Sequence, residues 1–307
     1  MRLATFTLTS DPNRARIGAL SDGKMLDLAH CAELSGFRAL PGSMRGLLAS
    51  GRIGLATVAP LLESPQAAAL HALEDVTFLP PIPDPEKFLC VGKNYRSHVE
   101  ELERSDLIKE TPEEPTGFVK LNSSLTGHET DVVRPHSVAH LDYEPELVFV
   151  IGRPAHRAKR SDAFNHVIGI TLLNDLTCRE TQKREVASGS RFWTSKNAPG
   201  FGPLGPWIIT MDEVPDPYDI WITCTVNGEQ RMRVNTHEQI WKLPDIIEHF
   251  SRLVPLAPGD MFSTGAPGGV AVGRPNAEEL FLKPGDVVEC TFESPAMVLR
   301  NRIVAPH

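Results

Sequence analysis

The sequence predicts a β-rich α+β protein with a small N-terminal α/β domain, residues 1–80, followed by a larger domain, residues 81–307. The 26 prolines and 23 glycines favour a fold with many turns over a helical bundle. Apolar residues at helical spacing are concentrated within residues 31–75, whereas later segments are typical of strands. The proline run from Leu79 to Pro85 cannot lie inside a helix, and we place the domain boundary there.

Turn signals and periodicity predict the individual elements. Ser21-Asp-Gly-Lys24 separates two short apolar segments and predicts an N-terminal hairpin. Asn227-Gly228 predicts a second hairpin, and the Pro-Gly pairs at 258–259 and 284–285 predict type II turns that lead into strands. Further strands are predicted at residues 88–92, 143–151, 166–173 and 220–226.

Charge and composition argue against several classes of partner. The net charge is −8 and no run of lysine or arginine exceeds two residues, so we expect no nucleic-acid partner. The N-terminus resembles a strand rather than a signal peptide, and no apolar run is long enough for a membrane span. The five cysteines are widely separated, which is typical of reduced thiols in a cytoplasmic protein. An anionic substrate would need local positive charge, which a bound metal could supply.

An acidic cluster is the most informative feature. Glu144 and Glu146 precede a strongly apolar segment and would share one face of a strand, with Cβ atoms roughly 6–7 Å apart. Two buried carboxylates at that distance repel each other unless a cation lies between them. Asp175 ends another apolar segment and offers a third oxygen ligand. All-oxygen ligation indicates Mg²⁺, Mn²⁺ or Ca²⁺ rather than zinc, and a solvated strand end is the alternative interpretation.

Two further pairs of polar residues are candidate functional residues, but their spacing alone does not establish a role. Thr177-Cys-Arg179-Glu180 has the pattern of a capping box, which predicts a helix beginning at this point. Arg179 and Gln182 then share one helix face, and His98 and Glu101 are also one turn apart. Taken alone, both pairs are more typical of solvated helix surfaces.

Five ordered motifs resemble those of the fumarylacetoacetate hydrolase family, and the resemblance covers roughly residues 86–304. Gly92–Glu101 is similar to the family's G-x-N-Y-x-x-H-x-x-E segment, and Asp142–Leu147 to its D-Y-E-x-E-L motif. Three more matches are Asn174–Gln182 (N-D-x-T-x-R-x-x-Q), Lys196 with Pro203–Trp207 (P-L-G-P-W), and Thr264–Val270 (T-G-T-P-x-G-V). Residues 197–200 and Ala266 depart from the usual pattern, which leaves the exact substrate open.

The resemblance implies a mixed β-sandwich roll for the larger domain and a homodimer. It implies Mg²⁺ or Mn²⁺, with Ca²⁺ as a substitute in crystals, held by Glu144, Glu146 and Asp175. It also implies a mobile lid at Tyr95–Leu102 that presents His98 and Glu101, and a lysine, Lys196, at the reacting centre. The matched motifs place further candidate substrate-binding residues, which are Asn94, Tyr95, Arg179, Gln182, Thr264 and Gly265.

We therefore expect a metal-dependent enzyme that acts on a small 2-keto acid. The favoured reaction is hydrolysis of the C3–C4 bond of an acylpyruvate-like 2,4-diketo acid, with His98 as the base toward water, Glu101 supporting it, and Lys196 stabilising the oxyanion. The alternatives on the same scaffold are oxaloacetate decarboxylation and isomerisation or tautomerisation of a hydroxy-dienoate. A metal-dependent binding protein without turnover would not need the base. Residues 95–114 are expected to become ordered when ligand binds.

Overall fold

The computed structural model describes residues 1–104, 112–190 and 192–306, except the side chains of residues 52 and 53. It is a sheet-rich α+β fold, which confirms the predicted fold class. The elements of the first 80 residues are β1 (Arg2–Leu8), β2 (Asp11–Ser21), β3 (Lys24–Asp27), α1 (Leu28–Leu34), α2 (Met44–Ala49), α3 (Gly51–Glu63), β4 (Leu70–His71) and β5 (Val76–Phe78).

The remainder of the chain is dominated by short strands. In chain order its elements are β6 (Phe88–Gly92), α4 (Arg96–Arg104), β7 (Thr116–Val119), β8 (Leu125–Thr126), β9 (Val132–Val133), β10 (Leu141–Asp142), β11 (Pro145–Ile151), β12 (Val167–Asn174), β13 (Thr177–Cys178), α5 (Arg179–Ala187), β14 (Gly202–Pro203), β15 (Ile208–Thr210), β16 (Trp221–Val226), β17 (Glu229–Asn235), α6 (Leu243–Ser251), β18 (Met261–Ser263), α7 (Ala277–Leu280), β19 (Val287–Phe292) and β20 (Met297–Val304). No helix of the described chain has the length and apolar character needed to cross a bilayer.

Both predicted hairpins are confirmed. Ser21 of β2 pairs with Lys24 of β3, and the two residues between them have positive φ angles of 46° and 74°. Asn227 and Gly228 join β16 to β17 with φ angles of 53° and 80°. Positive φ at both central residues is the geometry that Asn-Gly and Asp-Gly adopt at low cost, and it matches the twist of the strands.

Eleven strands of the described chain form one sheet. Its order is β4-β3-β2-β1-β15-β12-β11-β18-β6-β7, and β5 also pairs with β1. The N-terminal strands join the rest through antiparallel pairing of β1 with β15, where Leu3 lies opposite Ile208. The predicted boundary after residue 80 is therefore crossed by a continuous sheet, and the division into two domains stays a prediction.

The large sheet is covered on both faces, as the composition of β11 shows. Leu147 and Phe149 belong to a core shared with a second sheet of order β17-β16-β19-β20-β9. Val148 and Val150 belong to a core that includes residues of α1, α2 and α3. Alternate residues of a strand point to opposite faces, so a strand buried on both sides must be apolar throughout.

Strand directions bring four chain segments to one end of this sheet. β12 and β18 both run antiparallel to β11, so their last residues lie near its first ones. β6 runs parallel to β18 and ends at the same place. The segments that follow β6, β12 and β18 therefore meet the segment that precedes β11, and the acidic residues lie there.

Candidate active site

Glu144, Glu146 and Asp175 form a compact buried cluster. One carboxylate oxygen from each lies within 4.8 Å of the others, and all three residues are buried. Backbone pairing fixes their spacing, because Asp175 N donates to Glu144 O at 2.8 Å. The Asn174 side chain accepts from Glu144 N at 2.9 Å. The structure thus brings together the three residues that the sequence predicts as metal ligands.

Lys196 lies against two of these carboxylates. Its Nζ is 2.5 Å from Glu144 Oε2 and 2.6 Å from Asp175 Oδ2, and it donates to Thr177 Oγ1 at 2.9 Å. The three protons of the ammonium thus have three acceptors. Burial alone would lower the pKa of Lys196, but the nearby carboxylates outweigh burial and raise it above its ordinary value. The structure therefore presents Lys196 as a fixed cation.

Arg179 binds the same cluster from the other side. Its Nε donates to Asp142 Oδ2 at 2.7 Å, and its Nη2 lies 2.7 Å from Glu144 Oε1. Gln182 Oε1 accepts from Arg179 Nη1 at 2.9 Å. Arg179 is 1% exposed and Gln182 6%, so neither belongs to the solvated helix face that their spacing alone favours.

The predicted capping box at Thr177 is wrong. The helix begins at Arg179 after Cys178, and no side chain caps it. The Thr177 hydroxyl instead donates to Asp175 O and accepts from Lys196. Glu180 accepts from the backbone N–H groups of Ala139 and His140. Tertiary hydrogen bonds have taken both groups that a capping box requires.

The two glutamates differ in electrostatic surroundings. Burial alone would raise the pKa of Glu144, but Lys196 and Arg179 lower it to about 2. Burial, together with the carboxylates of Asp175 and Glu144, holds the pKa of Glu146 well above its ordinary value. Glu146 accepts hydrogen bonds from the Ser263 hydroxyl and, at 3.2 Å, from Gly265 N. A carboxyl group in this position either keeps a proton or binds a cation.

The donor set fits a hard divalent cation. Three carboxylates converge, and the ligand atoms are oxygens, which Mg²⁺, Mn²⁺ and Ca²⁺ prefer. The buried charges around the cluster are also unequal in number. Four carboxylates, those of Asp142, Glu144, Glu146 and Asp175, lie among three cations, those of Lys120, Arg179 and Lys196, so one carboxylate has no cationic partner within this group when all are ionised. Glu146 is that carboxylate, so a cation bound at it would remove the repulsion from its neighbours.

His98 and Lys196 line one cavity with Glu144 and Glu146. His98 Nδ1 lies 3.5 Å from Glu101 Oε2, and neither atom has a hydrogen-bond partner among the described residues. Glu101 is anchored through its other oxygen, which accepts from Gly269 N at 2.7 Å. The pair is therefore slightly separated, with the carboxylate positioned to approach the imidazole.

Apolar side chains form most of the rest of the cavity wall. The Lys196 ammonium lies 5.3 Å from the centroid of the Phe118 ring, and Phe118 packs edge-on against Phe192. Ala266, where the family pattern usually has threonine, lines the cavity as well. The remaining lining residues are Val91, Gly92, Lys93, Leu102, Gln182 and Val186. The cavity thus has a charged floor, an apolar wall and one additional lysine, Lys93.

Four predicted substrate-binding residues have polar groups already engaged by the protein. The Asn94 side chain bonds the backbone of Trp241 and Thr264 O. The hydroxyl of Tyr95, which is fully buried, accepts from Gln239 Nε2 at 3.1 Å. The Thr264 hydroxyl donates to Leu147 O, and Gly265 N donates to Glu146. These residues build the site's scaffold, and their contact with substrate stays a prediction.

The predicted lid, Tyr95–Leu102, lies within the described residues, whereas the longer segment predicted to become ordered does so only in part. From Arg96 onward the lid belongs to α4, in which His98, Val99, Glu101 and Leu102 are buried. Residues 105–111 of the predicted ordering segment lie outside the described residues. Ligand-dependent ordering of residues 95–114 therefore stays a prediction.

Two site residues were given no role from the sequence. Asp142 belongs to a matched motif, but only the structure shows that it binds Arg179. Lys120 contacts Asp175 at 2.7 Å, although it lies 55 positions away in the chain. A single lysine after a short strand has no periodicity or motif of its own, so the sequence offered no local signal for it.

Comparison with known proteins places the chain in a family. Residues 87–304 match the family model described as fumarylacetoacetate (FAA) hydrolase C-terminal. The chain belongs to the fumarylacetoacetate hydrolase family, whose members are enzymes, and this confirms the resemblance predicted from its motifs.

Two similar relatives extend over nearly all of the chain. It is 36% identical to the mitochondrial oxaloacetate tautomerase fahd2 of Xenopus laevis over 297 residues, which are 95% of this chain and 87% of the relative. It is 33% identical to the oxaloacetate tautomerase YisK of Bacillus subtilis over 303 residues, 95% of this chain and 97% of the relative.

Solved structures of other enzymes share the fold. A fumarylacetoacetate hydrolase from Exiguobacterium antarcticum has a TM-score of 0.79 at 29% identity, with 100% of both chains covered. A 5-carboxymethyl-2-hydroxymuconate delta-isomerase from Mycobacterium smegmatis has a TM-score of 0.73 at 26% identity, again with 100% of both chains covered. The family's scaffold thus serves more than one reaction type.

Proposed function

We propose that this protein is a divalent-metal-dependent enzyme that interconverts the keto and enol forms of a small 2-keto dicarboxylic acid, with oxaloacetate as the substrate. The observation that supports this most is the shared cavity, in which His98 and Lys196 face the Glu144–Glu146 carboxylates. Enolisation requires one base near C3 and positive charge near the keto oxygen. This cavity offers both groups.

Glu144, Glu146 and Asp175 are the residues that would hold the metal, for which Mg²⁺ or Mn²⁺ suits the oxygen donors. When bound, such a cation supplies Lewis-acid polarisation of a keto oxygen and its neighbouring carboxylate.

His98 is the group suited to move the proton. The Lys196 ammonium directs its three N–H groups at Glu144, Asp175 and Thr177 in hydrogen bonds and has no lone pair, so it cannot act as the base. His98 takes a proton from C3 and then passes a proton to the oxygen at C2, which returns the imidazole to its starting state. The reaction is therefore a net isomerisation that needs no added reactant.

Glu101 and Lys196 support the charges that develop. Glu101 lies 3.5 Å from His98 and would stabilise the imidazolium as it forms. The Lys196 ammonium would stabilise the negative charge on the C2 oxygen. The apolar wall around Phe118 and Leu102 limits access of water to the enolate.

The choice of a dicarboxylic acid is supported by Lys93 and by the relatives. Lys93 lines the cavity and could pair with a second carboxylate, which oxaloacetate has and a simple acylpyruvate lacks. Both relatives compared above are named oxaloacetate tautomerases. Cytoplasmic location and a homodimer remain predictions made from the sequence.

Hydrolysis of the C–C bond of an acylpyruvate is the second candidate. The observation that favours it is the His98–Glu101 pair, because the same base can activate a water molecule for attack on a distal carbonyl. Decarboxylation of oxaloacetate needs no attacking water and would depend less on this pair.

The test is a substrate panel with the Mg²⁺- or Mn²⁺-loaded protein. Enol-oxaloacetate, acetylpyruvate and a hydroxy-dienoate are followed by ultraviolet absorbance, and pyruvate release is measured separately. We expect enol-oxaloacetate to convert to the keto form faster with the protein than without it. In His98→Asn this catalysed rate should fall at least a hundredfold. Cleavage of acetylpyruvate without acceleration of the oxaloacetate reaction would replace the first candidate with the second.

A further inference from the structure

We infer that Lys120 is a positioning residue that sets the geometry of Asp175 and of the backbone at Lys196. The inference rests on the metal-ligand role proposed for Asp175. The Lys120 side chain is completely buried. Its Nζ donates to Asp175 Oδ1 at 2.7 Å, to Lys196 O at 2.5 Å and to Phe201 O at 2.8 Å.

These three bonds engage every proton of the ammonium group. Lys120 also does not belong to the residues that line the cavity, so it has no route to substrate. A direct catalytic role is therefore not supported. Lys120 instead contacts the proposed metal ligand Asp175 and the main chain of Lys196. Lys196 in turn binds two of the proposed ligands.

The arrangement divides the Asp175 carboxylate between two lysines. Oδ1 is bound by Lys120, and Oδ2 is 2.6 Å from Lys196. With Oδ1 fixed, the carboxylate plane cannot rotate freely, so the direction in which Oδ2 points is set. Metal affinity depends on such outer partners of ligating carboxylates.

The second contact fixes the segment after Lys196. The carbonyl groups of Lys196 and Phe201 converge on the same ammonium, so the intervening turn is closed around it. Asn197 closes the turn from outside, because its Oδ1 accepts from Leu121 N at 2.7 Å. Loss of Lys120 would therefore change two things together, the aim of Asp175 and the placement of Lys196.

Gly202 provides the space for the Lys120 stem. A Cβ atom at position 202 would lie 2.8 Å from Lys120 Cε and 3.1 Å from Leu125 Cδ2. The φ angle of Gly202 is not in the left-handed region, so alanine there acts through the contacts of its Cβ atom, of which the one with Lys120 is the shortest and the one with Ser124 O is 3.2 Å. Gly202→Ala therefore pushes against the lysine stem while the charge of Lys120 is kept.

A buried lysine–carboxylate pair is weak evidence for a purely stabilising role, because both charges must be removed from water and their attraction repays that cost only with excellent geometry. A merely structural role and a positioning role therefore differ in what they predict. Loss of the pair should lower thermal stability in both cases, but only the positioning role predicts weaker metal binding by a folded protein.

The experiment compares Lys120→Met with Lys87→Met. Lys87 also binds a buried aspartate, Asp260, at 3.0 Å, but that pair is not part of the site. Mn²⁺ affinity is measured by calorimetry without substrate, the Mn²⁺ environment by electron paramagnetic resonance, and folding by thermal melting. We expect at least a tenfold weaker Mn²⁺ affinity and an altered resonance spectrum in Lys120→Met, in line with the effect of outer partners on other metal sites. Lys87→Met should keep wild-type affinity.

Gly202→Ala serves as the second variant if Lys120→Met does not fold, and it should weaken Mn²⁺ binding severalfold. Affinity within twofold of wild type in every folded variant at positions 120 and 202 overturns the inference. A wild-type protein that binds no divalent ion overturns both this inference and the metal proposal. A wild-type protein that binds Mn²⁺ but converts no 2-keto acid defeats only the proposed reaction, since the affinities still decide the role of Lys120.

Discussion

Arg179 Nε donates to Asp142 Oδ2 at 2.7 Å, and both side chains are almost completely buried. The same Asp142 carboxylate accepts from the backbone N–H groups of Ala271 and Val272 at 2.9 and 3.0 Å. One ion pair thus connects the helix that presents Arg179 to the loop that follows the Thr264–Val270 motif. The acidic cluster is therefore held in place by the Asp142–Arg179 pair as well as by Lys196.

Asp142→Asn should destabilise the protein strongly. The amide cannot balance the buried guanidinium, and breaking one side of a buried pair costs about 3–5 kcal/mol. Urea unfolding would measure this as a lower midpoint with an unchanged slope. Asp131→Asn is the matched control, because Asp131 pairs with Arg302 at the surface, and its loss should cost less than about 1 kcal/mol. Equal effects of the two changes would contradict the burial argument.

Glu144→Gln and Glu146→Gln should differ in their effects on the stability of the metal-free protein. Glu144 loses its partners Lys196 and Arg179, so the melting temperature should fall. Glu146 has a raised pKa, so its favourable contribution to stability is present at low pH and is lost as pH rises. At neutral pH its replacement should therefore leave the metal-free protein as stable as wild type or more so.

The same two variants should both lose the rise in melting temperature that Mg²⁺ or Mn²⁺ produces. Each removes one of the three ligands, and ligand binding stabilises the folded state only through its affinity. The measurement is thermal melting with chelator and with added metal. A Glu146→Gln protein that retains the full metal-induced increase would remove Glu146 from the ligand set.

Lys93→Met should discriminate between substrates. If Lys93 pairs with the second carboxylate, KM for oxaloacetate should rise about tenfold while kcat changes little. KM for acetylpyruvate, which has a neutral tail, should stay near the wild-type value. Lys24→Met, in the N-terminal hairpin, is a control for loss of a lysine elsewhere. Equal increases for both substrates would show that Lys93 does not distinguish them.

Glu185 should make the segment before Lys196 sensitive to acid. Its carboxylate accepts from the backbone and hydroxyl of Thr194 and from the Ser195 hydroxyl at 2.6, 2.8 and 2.5 Å. Burial alone would raise the pKa of Glu185, but these hydrogen bonds lower it below its ordinary value of 4.5. A lowered pKa in the folded state gives stability that is present above pH 4.5 and is lost as pH falls through the folded value.

Glu185→Gln should therefore be less stable than wild type at neutral pH by about 1 kcal/mol, allowing for the partial exposure of the group. The difference should shrink as the pH falls below 4.5 and wild-type Glu185 also becomes neutral. Urea unfolding at a series of pH values measures it. A difference that stays constant from neutral to acidic pH would contradict the assignment.

The sequence predicts the parts of the site that have a local pattern. Glu144 and Glu146 precede a strand that is apolar on both faces, so their burial and convergence follow from strand geometry. Lys120 has no such pattern, because its partners are a carboxylate and two carbonyl groups distant in the chain. Thr177 misled the prediction, since a hydroxyl suited to capping a helix is equally suited to bind Lys196. Local propensity loses to tertiary hydrogen bonds at this junction.

The pairing of β1 with β15 predicts that removal of the N-terminal residues would make this protein prone to self-association. A fragment that starts at the proline run would present the backbone of β15 as an open sheet edge. It would also expose Val148, Val150 and Ile208, which the N-terminal elements cover. An unpaired strand edge beside an apolar face promotes self-association, so the first 80 residues protect the large sheet from aggregation by covering both.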